Sequence, residues 1–312
     1  MPEITVSIPT YNRSSLVKQA IESVLSQTYQ DFDIAVIDDG STDDTREVVA
    51  SFGDPRVKYF YKENGGCASA RNAGIEHATG EYFAYLDSDD LWPANFLEVM
   101  LAQLRANPEY GCVYCPIEKV FPDGTRKASY GPKQCRSGRI TRELFKTNFI
   151  WIQAAVFRTE VLKSFRFDDS MRNGADTDAL LRLSTQIQYL YYDDIKVDFR
   201  AEHGIAPRKD ISSSNCNRIL LLERFYSRLG GEKYISSSQA RQKLSHSYRS
   251  NARNFHSKQY RAASIILYKR AIKYWPFDFR LYPGLLTSVM LDKSKDPAPN
   301  WKMPSPLPDI ND

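Results

Sequence analysis

The chain has 312 residues, 42% of them hydrophobic and 26% charged, with 15 glycines and 16 prolines. This is globular composition, long enough for one large domain and a small one, and it excludes a fibrous or wholly disordered chain. Net charge is only +4, yet Ser213 to Leu291 holds 14 Lys+Arg against three Asp+Glu, a net of +11 that leaves −7 for the remainder; an acidic first part joined to a basic last part suggests two modules with different partners.

The N-terminus, MPEITVSIPTYNR, alternates polar and apolar residues, which argues against a secretory signal. No stretch approaches the roughly 18–20 apolar residues that span a bilayer. Five scattered cysteines make no disulfide framework, so a reducing, cytoplasmic setting is expected.

Ile4 to Ile8 is a short β-rich run. Leu16, Val17, Ala20, Ile21, Val24 and Leu25 follow at helical spacing, with Ser14 or Ser15 as the N-cap. Phe32 to Ile37 reads as a second strand ending in Asp38-Asp39-Gly40, and Thr42-Asp43 caps the next helix. Val57 to Tyr61 is a third strand, Ala68 to Ala78 a third helix and Tyr82 to Leu86 a fourth strand. This alternation predicts a mostly parallel sheet with helices on both faces. In such sheets ligands sit beyond the carboxyl ends of the strands. The polar clusters Pro9–Arg13, Asp38–Ser41 and Asp87–Asp90 fall there.

After a helix near Ala94–Arg105, Gly111–Val120 and Arg126–Tyr130 read as a hairpin around an Asp123-Gly124 turn. Ala154–Phe157 and Ile195–Phe199 read as strands, with a helix near Thr177–Ile187 between them. Four helices follow: Asn215–Leu229, Ser238–Phe255, Gln259–Tyr274 and Phe279–Leu291. The segment HSKQYRAASIILYKRAIKYWPFD resembles a single tetratricopeptide-type helix. The last twenty residues hold five prolines and read as a loose tail.

Asp87-Ser88-Asp89-Asp90 follows the apolar fourth strand directly. Three carboxylates in four residues repel one another unless something positive sits among them, and a divalent cation is the usual answer. The other reading is a solvated turn that caps the following helix. The stretches SIPTYNR, VIDDGSTDDT, NGGCASARNAG and YLDSDDLW occur in this order, each near a strand end. On these motifs the chain resembles the inverting family 2 glycosyltransferases of GT-A fold, over about residues 3–205.

The resemblance implies an α/β catalytic domain over 1–212, with a donor half at about 1–106 and an acceptor half at about 107–212. An all-α basic module over 213–291 and a Pro-rich tail over 292–312 follow. It implies that Pro9, Tyr11, Asp38 and Asp39 hold the nucleobase of a nucleoside-diphosphate sugar, most commonly a UDP-sugar. Tyrosine offers a flat face for stacking, and a carboxylate accepts a pyrimidine imide N–H. Arg71 is implied at the diphosphate or ribose, where its planar fork suits phosphate oxygens. Asp87 and Ser88 fall to the nucleotide. Asp89, with His203 as a further candidate, falls to a Mn²⁺ or Mg²⁺ bridging the phosphates.

On the acceptor side, FDDSMRNGADTDALLRL resembles the family's second acidic site. The resemblance implies that Asp176 is the base that deprotonates the acceptor hydroxyl, although Ala175 stands where an acid is usual. One carboxylate suffices for direct displacement with inversion. Trp151 and Asp178 are further acceptor-side candidates, and the acceptor is expected to be a glycan or a lipid-linked glycan.

Cys112 and Cys115 form a C-x-x-C without the second pair a zinc site needs. No dinucleotide or P-loop glycine pattern occurs. The basic helices admit peripheral contact with the inner face of a membrane, or a homodimer interface; nucleic acid is not expected. Two other classes compete. A non-catalytic nucleotide-sugar-binding or scaffold protein draws on Ala175. A sugar nucleotidyltransferase would have a glycine-rich loop where Pro9-Thr10-Tyr11-Asn12-Arg13 stands.

Overall fold

The computed structural model describes residues 1–129, 133–171, 173–200 and 211–307, the side chains of 211–215 excepted. Two compact units result, Met1–Arg208 and Lys209–Asp312.

In the first unit, β1 (Ile4–Thr10) and β2 (Phe32–Asp38) are buried at every position. Between them α1 (Ser14–Leu25) buries the stripe Val17, Ala20, Ile21 and Val24, and α2 (Thr45–Ala50) precedes the half-buried β3 (Val57–Tyr61). Then come α3 (Cys67–Glu76), β4 (Tyr82–Tyr85) and α4 (Phe96–Ala106). Strands β1 and β2 are covered on both faces, so the polar Thr5, Ser7 and Asp33 are buried along with the apolar residues between them. The expected α1 cap is corrected: neither Ser14 nor Ser15 caps the helix by its side chain. The Ser14 amide instead donates to Asp43 Oδ2 at 3.1 Å. The expected α2 cap is corrected too: its N-cap is Asp44, without a side-chain cap bond, and Asp43 Oδ1 accepts from the Thr45 amide at 3.2 Å.

The chain continues through β5 (Cys112–Tyr114), β6 (Ile117–Val120), β7 (Arg126–Ala128), α5 (Thr141–Lys146), β8 (Ala155–Arg158), α6 (Thr159–Lys163), α7 (Ala175–Leu183), β9 (Tyr189–Tyr191) and β10 (Val197–Arg200). The main sheet has order β3-β2-β1-β4-β8-β5-β9, and β10-β6-β7 form a second. The β4–β8 and β5–β8 pairs are antiparallel, while the pairs of β1, β2, β3 and β4 are parallel. The strand expected over 111–120 is two strands. It breaks at Cys115-Pro116, where proline has no amide to continue a ladder. Its first half joins the main sheet, and its second pairs with β7 and β10. Register places Thr10 opposite Asp38, and the Asp39 amide donates to Thr10 O at 2.9 Å, so the polar strand ends open on one side of the sheet.

Gly74 lets α3 lie close against β1. A Cβ there would come within 2.2 Å of Ser7 Oγ and 3.0 Å of Ser7 Cβ, and Ser7 is fully buried. Gly74→Ala is therefore expected to destabilise the fold by about 1–3 kcal/mol through overpacking, read as a lower urea midpoint at unchanged slope. Helix propensity alone would favour alanine by ~1 kcal/mol, so a stabilised variant would refute the close approach.

The second unit contains α8 (Ile211–Arg228), α9 (Ser237–Ser257), α10 (Arg261–Tyr274) and α11 (Leu281–Val289). A capping box of Ser236 and Gln239 starts α9. Leu244, Tyr248, Ala252 and Phe255 of α9 and Ala263, Leu267 and Ala271 of α10 are buried at helical spacing, the small residues permitting close packing. Glu223 accepts from Tyr248 Oη at 2.7 Å and also from the Tyr274 hydroxyl. The proline-rich tail is less loose than expected: Trp301 packs on Phe255 at 5.7 Å, and Asp296 accepts from the Ala262 amide at 2.8 Å. Among the described residues no helix is long and apolar enough to cross a membrane.

Candidate active site

The ends of β1, β2 and β4 and the start of α3 enclose a cavity of about 450 Å³, within the range of small-molecule sites. Pro9, Thr10, Tyr11 and Arg13 line it from β1, Asp39 from β2, Asn64, Gly66, Cys67, Ala70 and Arg71 from α3 and the loop before it, and Asp87, Ser88 and Asp89 from β4. Six of the residues expected at the nucleotide therefore share one pocket with the expected metal ligand, Asp89. Asp38, the seventh, does not line it. It is buried, with Oδ1 accepting from the Ser41 amide at 2.8 Å and Oδ2 from Tyr59 Oη at 2.6 Å. Asp38 shapes the turn that presents Asp39.

Asp39 fixes the loop before α3. Its Oδ1 accepts from Lys62 Nζ at 2.7 Å and the Gly65 amide at 2.9 Å, and its Oδ2 accepts from the Gly66 amide at 2.8 Å. Gly66 has φ 86°, a conformation in which a side chain would be strained. A carboxylate offers about four acceptor positions. Three are taken, which leaves Oδ2 room for one donor from a ligand. Tyr11 is 47% exposed at the pocket mouth, so its ring face is open for stacking.

The acidic turn resolves its charge residue by residue. Asp90 points away from the cavity into the fold, where Gln153 Nε2 donates to it at 2.8 Å and the Arg200 amide at 3.4 Å. Burial, reinforced by the charges of Asp87 and Asp89, pushes its carboxyl up to about 8. The other two acids each meet an arginine: Asp89 Oδ2 lies 2.9 Å from Arg13 Nη1, and Asp87 Oδ1 lies 2.9 Å from Arg71 Nη2. Arg200 Nε donates to the Asp89 carbonyl at 2.7 Å and ties the turn to β10. Among the described residues no three His, Cys, Asp or Glu side chains converge as a metal site. The donor chemistry nevertheless fits Mg²⁺ or Mn²⁺, which take one or two carboxylates and complete their shell with phosphate and water oxygens. Asp89 and Asp87 provide two carboxylates at one cavity. His203, the further ligand expected, lies outside the described residues.

Arg71 is the centre of the charge network. Its side chain is nearly inaccessible, yet Nη1 pairs with Asp176 and Nη2 with Asp87. Tyr85 Oη donates to its carbonyl at 3.0 Å, and its Nε has no partner. Burial works against its charge, but Asp176, Cys67 and Asp87 outweigh that and hold the guanidinium well above its ordinary value. Both terminal nitrogens of the residue expected at the diphosphate are thus engaged by carboxylates. Asp176, on the first turn of α7, keeps 39% of its side chain exposed. Desolvation lifts its carboxyl above the ordinary 3.8; Arg71 pulls it down and Asp87 pushes it up. The open fraction means that water screens this lift.

Of the remaining acceptor-side candidates one is buried and the other half-buried. Asp178 is fully buried and pairs with Arg182 Nε at 2.7 Å, one turn along α7, so it cannot meet a substrate. Trp151 packs on Phe199 at 5.2 Å, against the main core. Six pocket residues carried no role in the sequence reading: Thr10, Arg13, Asn64, Gly66, Cys67 and Ala70. All six had a signal, each lying inside SIPTYNR or NGGCASARNAG, two of the motifs that carried the resemblance. Cys112 and Cys115 are buried free thiols, and burial raises both.

A model of the glycosyl transferase family 2 matches residues 5–166. Among similar proteins, the chondroitin synthase of Pasteurella multocida is 32% identical over 211 residues, 65% of this chain and 21% of that protein. The first curated relatives are matched over only 18–37% of their own lengths, so this chain corresponds to a part of them. A structure of S. aureus TarS in complex with UDP aligns with TM-score 0.66 at 16% identity, over 95% of this chain and 90% of that one. The mannosyltransferase PcManGT of Pyrobaculum calidifontis, in complex with GDP-Man and Mn²⁺, aligns with TM-score 0.53 at 20% identity, over 95% of this chain and 87% of that one. At these identities the structural likeness is one of fold, the GT-A fold.

Proposed function

We propose, from the premise that this chain belongs to glycosyl transferase family 2 and is a glycosyltransferase, that it moves a sugar from a UDP-sugar to a hydroxyl of a glycan or lipid-linked acceptor with inversion. The observation that carries this reading is the pair of acids on one arginine. Arg71 joins Asp87, on the wall of the nucleotide-sized cavity, to Asp176, which is open to solvent at the start of α7. A donor subsite and a base are thereby held in fixed relation. The UDP complex of TarS and the glycan-polymer name of the Pasteurella relative support the donor and acceptor classes.

In this reading Tyr11 stacks on the base and Asp39 Oδ2 accepts the uracil imide N–H. Asp87 and Ser88 face the ribose and diphosphate. A Mg²⁺ or Mn²⁺ on Asp89, with Asp87 beside it, would supply positive charge at the departing diphosphate. Asp176 takes the proton of the attacking hydroxyl, and Arg71 orients the carboxylate that does so. Ala175 is buried, so the alanine that replaces the usual acid leaves the exposed carboxylate next to it in place.

The test is a thermal-shift screen of UDP, GDP and dTDP with and without Mn²⁺, followed by the anomeric configuration of the transfer product. UDP at a hundredfold excess over its Kd should stabilise the protein by about 2.7 kcal/mol. Preference for another nucleotide overturns the donor, and retention in the product overturns Asp176 as base.

Asp89→Asn carries the metal assignment. It should keep its fold, since the lost charge is one of a crowded turn. It should lose the extra thermal shift that Mn²⁺ adds to UDP, together with most metal-dependent turnover. An unchanged Mn²⁺ increment would place the metal elsewhere.

A further inference from the structure

Among the described residues ten large hydrophobic side chains are exposed, and six of them fall between positions 277 and 290. Helix α11 buries only Leu281 and Ser288. It exposes Tyr282, Leu286 (63%), Val289 and Met290 (77%), whose spacing of four, seven and eight residues puts them on one helix face. Phe277 and Phe279, both more than 70% exposed, precede it. A concentrated apolar patch on one helix marks an interaction surface, whereas scattered exposed leucines do not.

Charges of both signs flank this face, and the cations are more exposed than the acids they meet. Arg280, 75% exposed, stands between Phe279 and the helix. At the far end Arg261 Nε donates to the Val289 carbonyl at 3.2 Å, and Lys295 is 76% exposed. The acids nearby are engaged: Asp278 by Arg249 and Arg280, and Asp292 by Lys295. The helical segment 213–291 as a whole carries +11.

We propose that α11, with Phe277 and Phe279, docks in the interface of an anionic lipid bilayer. Nine residues are far too few to span one. An apolar face with aromatic residues and flanking cations is the chemistry of a helix lying in the headgroup layer. Charge favours this occupant over a second copy of the chain: two helical segments that each carry +11 over residues 213–291 repel, whereas an anionic leaflet attracts.

The experiment is co-sedimentation of the full chain with phosphatidylcholine vesicles, with and without phosphatidylserine, at low and high salt. Leu286→Asp combined with Met290→Asp removes the apolar contribution, and Arg280→Glu combined with Lys295→Glu the electrostatic one. All four side chains are exposed, and circular dichroism checks that the fold persists. The wild type should sediment with acidic vesicles and keep a residual fraction at high salt. The apolar variant should lose about tenfold or more in partitioning and all of the high-salt residue. The charge variant should lose binding at low salt, where screening is weak. No sedimentation with acidic vesicles, or equal sedimentation of wild type and the apolar variant, overturns the proposal. So does a dimer, seen by sedimentation velocity, that the apolar variant disperses without any vesicle binding. UDP binding and transfer are read separately in all three proteins, so failure of the transferase reading leaves this result interpretable.

Discussion

Asp176→Asn is expected to lower the transfer rate by about 10²–10⁴-fold while leaving UDP affinity within a fewfold of wild type, the range over which a positioned general base contributes. The amide keeps the size of the side chain and can still accept from Arg71, so the ion pair becomes a hydrogen bond and the helix start is preserved. What disappears is the ability to take a proton. Direct displacement by an acceptor hydroxyl needs that proton removed as the bond to the sugar forms, and a neutral amide cannot do it. The pH profile adds a second readout. Desolvation raises the Asp176 carboxyl above its ordinary 3.8, and a base works only when deprotonated. Wild-type turnover should therefore fall on the acid side, with a midpoint above the ordinary carboxylate range. In Asp176→Asn the residual activity should lack that limb. A variant that keeps its transfer rate and loses UDP binding would show that Asp176 belongs to the donor side.

The parallel half of the fold was legible because β-rich runs such as ITVSI and FDIAVI alternate with stretches of apolar residues at helical spacing. The cavity at the strand ends was legible for a different reason: in a parallel sheet the strand ends come together, and the polar clusters sit at those ends. The second half gave less away. Strands of three or four residues such as β7 and β9 are too short to show a period, and the split at Cys115-Pro116 turns on which sheet each half joins, a long-range choice. Asp178 shows the limit at the site itself. In ADTDALLRL both aspartates stand in the first turn of α7, but two positions along a helix is about 200° around it. Asp176 opens to solvent and Asp178 goes to the core with Arg182. The resemblance selects Asp176, while composition alone would not separate them. Arg71 was legible as a cation near the donor, but its two carboxylate partners lie 16 and 105 residues away, and only the folded chain brings them to one guanidinium.

Arg71→Met should be the most damaging single change at the site, in stability as well as rate. It leaves two carboxylates facing the place where a buried cation stood. Removing one member of a buried ion pair typically costs about 3–5 kcal/mol. Asp87 and Asp176 are 27% and 39% exposed, so both partly rehydrate and the lower end of that range, or somewhat less, is expected. The sign of the pH dependence separates this from simple loss of packing. Without Arg71, mutual repulsion and burial raise both folded-state carboxyl pKa values above their unfolded ones, so the folded state binds more protons than the unfolded chain over that window. The variant's stability, relative to wild type, is then best below pH ~4, where both states are protonated, and declines as pH rises through the elevated folded values. The deficit should be near its full size at pH 7 and small in acid. A packing defect would cost the same at both. Arg71→Lys sharpens the point, since it restores the charge but not the fork that serves two carboxylates at once. It should recover most of the stability and still transfer about tenfold to a hundredfold more slowly, because a base displaced by an ångström loses reach to the hydroxyl. If Arg71 instead held the donor diphosphate, methionine would weaken UDP binding first and leave the pH dependence of unfolding unchanged.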